Sequence, residues 1–145
     1  MSGDGAALIL HASCVALSGR GLLIMGPSGS GKSGLALQLM ALGAALVADD
    51  RTEVSVGADG ALWAAPPPGL PQLIEARFVG LLRVPALSPP VPLALAADLG
   101  QTETLRLPPE RWHSLLGQSL PLVFHSAGAH FPSALLHYLT HGRES

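Results

Sequence analysis

Apolar positions along this chain fall into short runs separated by Gly, Pro and Asp, with only two stretches of helical period. Ala6–Leu17 is largely apolar, interrupted by His11, and suits one buried strand. Ser18-Gly19-Arg20-Gly21 is a turn signal and Leu22–Met25 a second apolar run, so the two runs read as a β-hairpin. Lys32–Leu42 places Leu35, Ala36, Leu39, Met40 and Leu42 on one helical face, and Gly43 is a C-terminal stop. Ala44–Asp50 is a buried strand ending in two acids. Thr52–Val56 and Ala61–Ala64, joined by Gly57-Ala58-Asp59-Gly60, form a second hairpin. Past the stiff Pro66-Pro67-Pro68-Gly69 connector, the segment from Leu73 leads into a strand near Val79–Val84. Leu93–Asp98 reads as a strand, Pro108–Leu116 as a short helix and Pro121–Phe124 as a short strand. Ser133–Thr140 reads as a closing helix with Leu135, Leu136 and Leu139 inside.

The 145 residues show no internal repeat and no boundary, which fits a single domain over residues 1–145. Only 12% of residues are charged and 48% are hydrophobic. So few charges point either to burial in a homo-oligomer or simply to an alanine-rich composition. The net charge of −2, with no run of Lys or Arg, argues against nucleic acid or an anionic membrane as a partner. Cys14 is the single cysteine, so a disulfide framework is excluded and a reducing, cytoplasmic setting is expected. No apolar run approaches the roughly 18 residues of a membrane span, and the N-terminus lacks the basic start of a secretory signal.

Chemistry concentrates at Gly26-Pro27-Ser28-Gly29-Ser30-Gly31-Lys32-Ser33, which matches G-x-x-x-x-G-K-[ST] between an apolar strand and a helix. Such a P-loop turns backbone N–H groups toward phosphate at a helix N-terminus, and its glycines allow close backbone approach. Lys32 would neutralise the β and γ phosphates, and the Ser33 hydroxyl is a typical Mg²⁺ ligand. Lys32 is also the only lysine in the chain, the other basic residues being arginines. The compact ammonium suits a place between phosphate oxygens that a guanidinium does not.

Asp49 and Asp50 follow Ser33 by 16 and 17 positions, at the end of the strand directly after the P-loop helix. Two acids there can divide labour, one near a metal and one accepting a proton from a hydroxyl nucleophile. His11 reads either as a satisfied core histidine or as a site residue. Glu75 and Arg77 are spaced i, i+2; in an extended segment they point to one side, as a surface pair or as partners for metal and phosphate.

Taken in order, His11, "GPSGSGKS" (26–33), "LVADD" (46–50) and "IEAR" (74–77) resemble the catalytic domain of the HPr kinase/phosphorylase family, over about residues 6–136. The resemblance implies an α/β P-loop domain with a mixed, hairpin-containing β-sheet, similar to the nucleotide-binding fold of phosphoenolpyruvate carboxykinase. It implies ATP- and Mg²⁺-dependent phosphorylation of a serine on HPr, a phosphocarrier protein of the sugar phosphotransferase system, and hexamers as the family habit. Many members run the reverse reaction with inorganic phosphate. The resemblance makes Asp50 the base toward serine and assigns Lys32 and the P-loop to the nucleotide. It assigns Ser33 and Glu75 to the metal and brings His11 to the active site; Asp49, the first of the paired acids, is the one expected near the metal. Arg106 in "TLRLPPE" is similar to a further family arginine. Gly34 stands where the family carries an acid, and Phe78 where Gly normally follows E-x-R. The arginine-rich loop of long members is replaced by "FHSAGAH" (124–130), which implies weak reverse phosphorolysis. The short chain resembles the form without an N-terminal domain. Two other readings stay open: a small-molecule phosphotransferase and a nucleotide-sensing module whose catalysis has decayed.

Overall fold

A computed structural model describes residues 7–84 and 87–145. Ala6 and Pro85, at the edges of two expected strands, lie outside the described residues.

The central strands form because their apolar runs are buried on both faces, the pattern that parallel strands require. Strand β3 (Arg20–Met25) runs parallel to β9 (Val91–Thr102), which runs parallel to β11 (Gln118–His125). Around this trio the pairing is antiparallel. On one side β3 pairs with β2 (Ser13–Leu17), and β2 with β4 (Ala45–Ala48). On the other side the start of β9 pairs with β6 (Leu62–Ala65). Strand β6 continues to β5 (Thr52–Val56) and then to β1 (Ala7–Leu10). Strand β10 (Arg111–Leu115) pairs with β11. Strands β7 (Leu73–Ala76) and β8 (Gly80–Arg83) form a separate hairpin.

Two helices cover one face. Helix α1 (Lys32–Ala41) ends as the sequence predicts: Gly43, at φ +113°, and Ala44 donate back to the carbonyls of Met40 and Leu39. Leu35 and Leu39 of α1 join Leu135, Leu136 and Leu139 of α2 (Phe131–His141) over Val15, Leu22, Ile24, Leu46 and Leu95. The intervening residues of the same strands, Cys14, Leu23, Val47 and Ala96, meet Val54, Leu62, Ala64, Leu115 and Leu120 on the opposite face. Among the described residues no helix is long and apolar enough to cross a membrane.

Three expectations need correction. The single strand over Ala6–Leu17 is two strands: the chain bends at His11-Ala12, where Ala12 N–H bonds the carbonyl of Leu10. Strand β1 joins β5, whereas β2 joins β3 and β4. The helix expected over Pro108–Leu116 is strand β10, closed onto β11 by a two-residue turn with Leu116 at φ +50° and Gly117 at φ +77°. That type I′ geometry is usually announced by Asn-Gly, and Leu-Gly conceals it. Arg77 does not extend the strand of Glu75; it begins the β7–β8 turn.

Candidate functional site

The P-loop leaves the carboxyl end of β3 and enters α1. Gly31 is the N-cap at φ +99°; it has no side chain to cap the helix, and the first turn of α1 carries no acid. The first-turn amides are therefore disposed toward an anion. Gly26 cannot be replaced without strain: a Cβ there would stand 2.5 Å from the Ser30 hydroxyl, at φ +147°. That hydroxyl is buried without a hydrogen-bond partner among the described residues. The buried Lys32 ammonium donates to the carbonyls of Gly26 and Pro27 at 2.9 and 3.1 Å, which lays the charge along the inside of the loop.

The two acids after β4 face different partners. Asp49 Oδ1 accepts hydrogen bonds from Ser33 Oγ and Ser13 Oγ, each at 2.7 Å. Its other oxygen is 3.4 Å from the Glu75 amide. Asp49 thus ties together α1, β2, β4 and β7. Asp50 is held at φ +69°, in the left-handed region, which turns its side chain away from that of Asp49. Its amide donates to Ser13 Oγ at 3.2 Å, and its Oδ1 receives His11 Nε2 at 2.6 Å.

The kink that splits the expected first strand puts His11 here. It is a cleft residue with its side chain 54% exposed, not a core histidine; that of Asp50 is 61% exposed. The cleft has a volume of about 660 Å³, and its lining brings His11, Lys32, Ser33, Asp50, Glu75 and Arg77 together. The Arg77 guanidinium reaches over the P-loop to within 3.9 Å of where a Gly29 side chain would begin. Arg106, by contrast, lies in the exposed segment between β9 and β10 and is not part of this lining.

A second cleft, about 440 Å³, shares Gly31 and Gly34 with the first. Leu35, Gln38, Leu99 and the 125–132 segment line it, with His125 edge-on to Phe131 at 5.7 Å. Asp98 stands on β9 beside Met25, but its carboxylate caps the turn at Gly100 and Gln101, which packs against Pro27.

Among the described residues no cluster of three or more His, Cys, Asp or Glu is close enough to cage a metal. The Ser33 hydroxyl and the Glu75 carboxylate both line the cleft, and such oxygens suit Mg²⁺, which takes one or two protein ligands and completes its shell from phosphate and water. Asp49 stands beside them through its hydrogen bond from Ser33 Oγ. Sequence reasoning left out Ser13, the buried hydroxyl that links both acids. Its only signal is a serine within an apolar strand two positions after His11.

A phosphate-binding loop at the end of a central parallel strand, with paired acids on the strand after its helix, defines an α/β P-loop domain. The chain belongs to the HPr serine kinase C-terminal domain family, whose model matches residues 6–88. It is 45% identical over 78 residues to an HPr kinase/phosphorylase of Streptococcus thermophilus, covering 54% of this chain and 25% of that protein. It is 30% identical to an HPr kinase/phosphorylase of Limosilactobacillus reuteri, covering 89% of this chain and 48% of that protein. The chain thus spans about half or less of the length of these relatives. The solved structure of the Hpr(Ser) kinase/phosphatase from Coxiella burnetii superposes with a TM-score of 0.73 at 23% identity, covering 92% of this chain and 88% of that one. This likeness supports the mixed, hairpin-containing sheet expected from the sequence.

Proposed function

We propose that this chain carries an ATP-dependent kinase activity toward a serine of an HPr-like phosphocarrier protein. One observation carries the reading. The Asp50 carboxylate, oriented by His11, opens into the same cleft as Lys32 and Ser33 of the P-loop. Asp50 takes the proton of the acceptor serine as its oxygen attacks the γ-phosphorus. The bond from that phosphorus to the β-bridging oxygen breaks, and ADP departs away from Asp50. The second cleft adjoins the first at Gly31 and Gly34, and there Leu35, Leu99 and Phe131 offer apolar surface and Gln38 an amide to a nucleoside.

Lys32 and the first-turn amides of α1 hold the phosphates, and Arg77 is placed to meet a phosphate above Gly29. Ser33, Glu75 and Asp49 would hold Mg²⁺, which when bound neutralises charge between the β and γ phosphates. The exposure of His11 and Asp50 suits a serine presented on a protein surface better than an enclosed small molecule. The retained acids and the P-loop together favour catalysis over a purely sensing role.

Assembly into a homo-oligomer belongs to the same proposal; exposed Leu105, Leu107 and Trp112 support a contact between copies. So does weak reverse phosphorolysis, because the 125–130 segment presents His125 and His130 where capture of a doubly charged phosphate needs several cationic donors. The test is incubation with labelled ATP, Mg²⁺ and HPr, beside HPr lacking its acceptor serine. Label on the first alone is expected. ATP binding without transfer to any acceptor defeats the reading.

A further inference from the structure

Phe78 occupies a position that its side chain disfavours twice. Its backbone sits at φ +71°, a conformation natural to glycine and an outlier for a bulky residue. The residue is 98% exposed, so nothing among the described residues packs on it to compensate for the strain. Residues kept in such a conformation without local packing point to function. Two neighbours share the exposure, Val79 at 75% and Leu81 at 69%.

The hairpin itself is firmly anchored. Ile74 and Leu82 are paired in register and sink against the helix-covered core. Glu75 and Leu81 are the next pair and occupy the opposite face. One face therefore fixes the hairpin, and the other carries Glu75 at the cleft and Leu81 beside it. The turn between them supplies Arg77 and Val79 to the cleft wall and, between these two in sequence, the exposed Phe78. The apolar tip is thus continuous with the cleft that holds Asp50, and a protein delivering a serine to that carboxylate has to lie against it. An exposed aromatic with apolar neighbours is the usual form of an interface anchor.

We propose that Phe78, flanked by Val79 and Leu81, seats the acceptor protein by taking an apolar patch beside its target serine. The proposal rests on the protein-kinase reading of the cleft.

Phe78→Gly tests it without endangering the fold, since glycine accepts the left-handed backbone. With HPr as acceptor, the variant should raise KM for the protein about tenfold or more, on the scale of losing one interface anchor. Its kcat, its affinity for a fluorescent ATP analogue and its melting temperature should stay the same, or the melting temperature should rise. Phe78→Trp should restore most of the lost KM, which a merely structural role for the turn would not do. An unchanged KM in Phe78→Gly overturns the docking role while leaving the kinase reading intact. A changed mass in sedimentation equilibrium, with KM unchanged, would show that the tip meets a second copy of this chain instead. If the wild-type protein labels no acceptor at all, the kinase reading fails and the docking role with it; the wild-type arm alone reveals that outcome.

Discussion

His11 Nε2 lies 2.6 Å from Asp50 Oδ1, although the two residues are 39 positions apart and sit on separate bends of the chain. The contact fixes one oxygen of a carboxylate that lines the cleft. On the proposed reading the imidazole positions Asp50, and the carboxylate serves as the base.

Asp50→Asn should therefore lose about 10²–10⁴ in phosphoryl transfer to HPr, the usual cost of removing a general base. Nucleotide affinity should not change. His11→Ala should cost less, on the order of 10²-fold or below, because it loosens the base without removing it. His11→Asn, which can still donate a hydrogen bond to Asp50, should recover part of that loss. Single-turnover rates set against ATP affinity check both variants; near-normal transfer by Asp50→Asn would remove it from the mechanism.

Asp49 has a different partner set and a different expected phenotype. Asp49→Ala leaves the hydroxyls of Ser13 and Ser33 without their shared acceptor. Ser13 is fully buried, and a buried hydroxyl proton left without an acceptor costs about 1–3 kcal/mol, so the melting temperature should fall. The Mg²⁺ concentration for half-maximal activity should rise about tenfold, the equivalent of 1.4 kcal/mol. Unchanged Mg²⁺ dependence at a lowered melting temperature would make Asp49 a structural tie alone.

Lys32→Ala should weaken ATP binding itself, because the ammonium lies along the inside of the phosphate loop. Lys32→Arg should not rescue it: the planar fork is too large for a site 7% exposed and already bounded by the Gly26 and Pro27 carbonyls. Equilibrium binding of a fluorescent ATP analogue decides this. Wild-type affinity in either variant would mean that the loop holds phosphate by its amides alone.

Acid stability offers a test away from the cleft. Glu103 receives two hydrogen bonds from Arg111, at 3.0 and 3.1 Å, and that pairing holds its carboxyl below the ordinary glutamate value of 4.5. Arg111 also lies 4.2 Å over the Phe124 ring, so the pair joins the end of β9 to β10 and β11. A folded-state value below the unfolded one means that the stabilisation is present in full above about pH 4.5 and is lost as pH falls through the depressed value. Melting temperatures of wild type and Glu103→Gln should differ at pH 6 and converge in stronger acid. A gap that widens on acidification contradicts the assignment.

How legible each part was depended on the reach of its hydrogen bonds. The P-loop, the helix ended by Gly43 and the strand ended by Asp49-Asp50 are written in contiguous residues, because glycine conformations and helical period act locally. The hairpins with polar or glycine turns were equally readable. The β10–β11 hairpin was not, since Pro108-Pro109 looks like a helix start and Leu116 bears a positive φ without a turn residue's side chain.

By itself the sequence determined that a phosphate loop sits between a buried strand and a helix, with two acids one strand later and a histidine upstream. Only the tertiary structure decided what these groups do to one another. A bend at His11-Ala12 sends β1 and β2 to different partners and swings the imidazole onto Asp50. The left-handed backbone of Asp50 sends two adjacent carboxylates in different directions, one to Ser13 and Ser33, the other to the cleft. The β7–β8 turn carries Arg77 over Gly29 and leaves Phe78 exposed, while Arg106 stays outside the cleft lining. Spacing along a chain limits only neighbours on one element; contacts between distant segments depend on strand register and on bends set by the packing of the whole sheet.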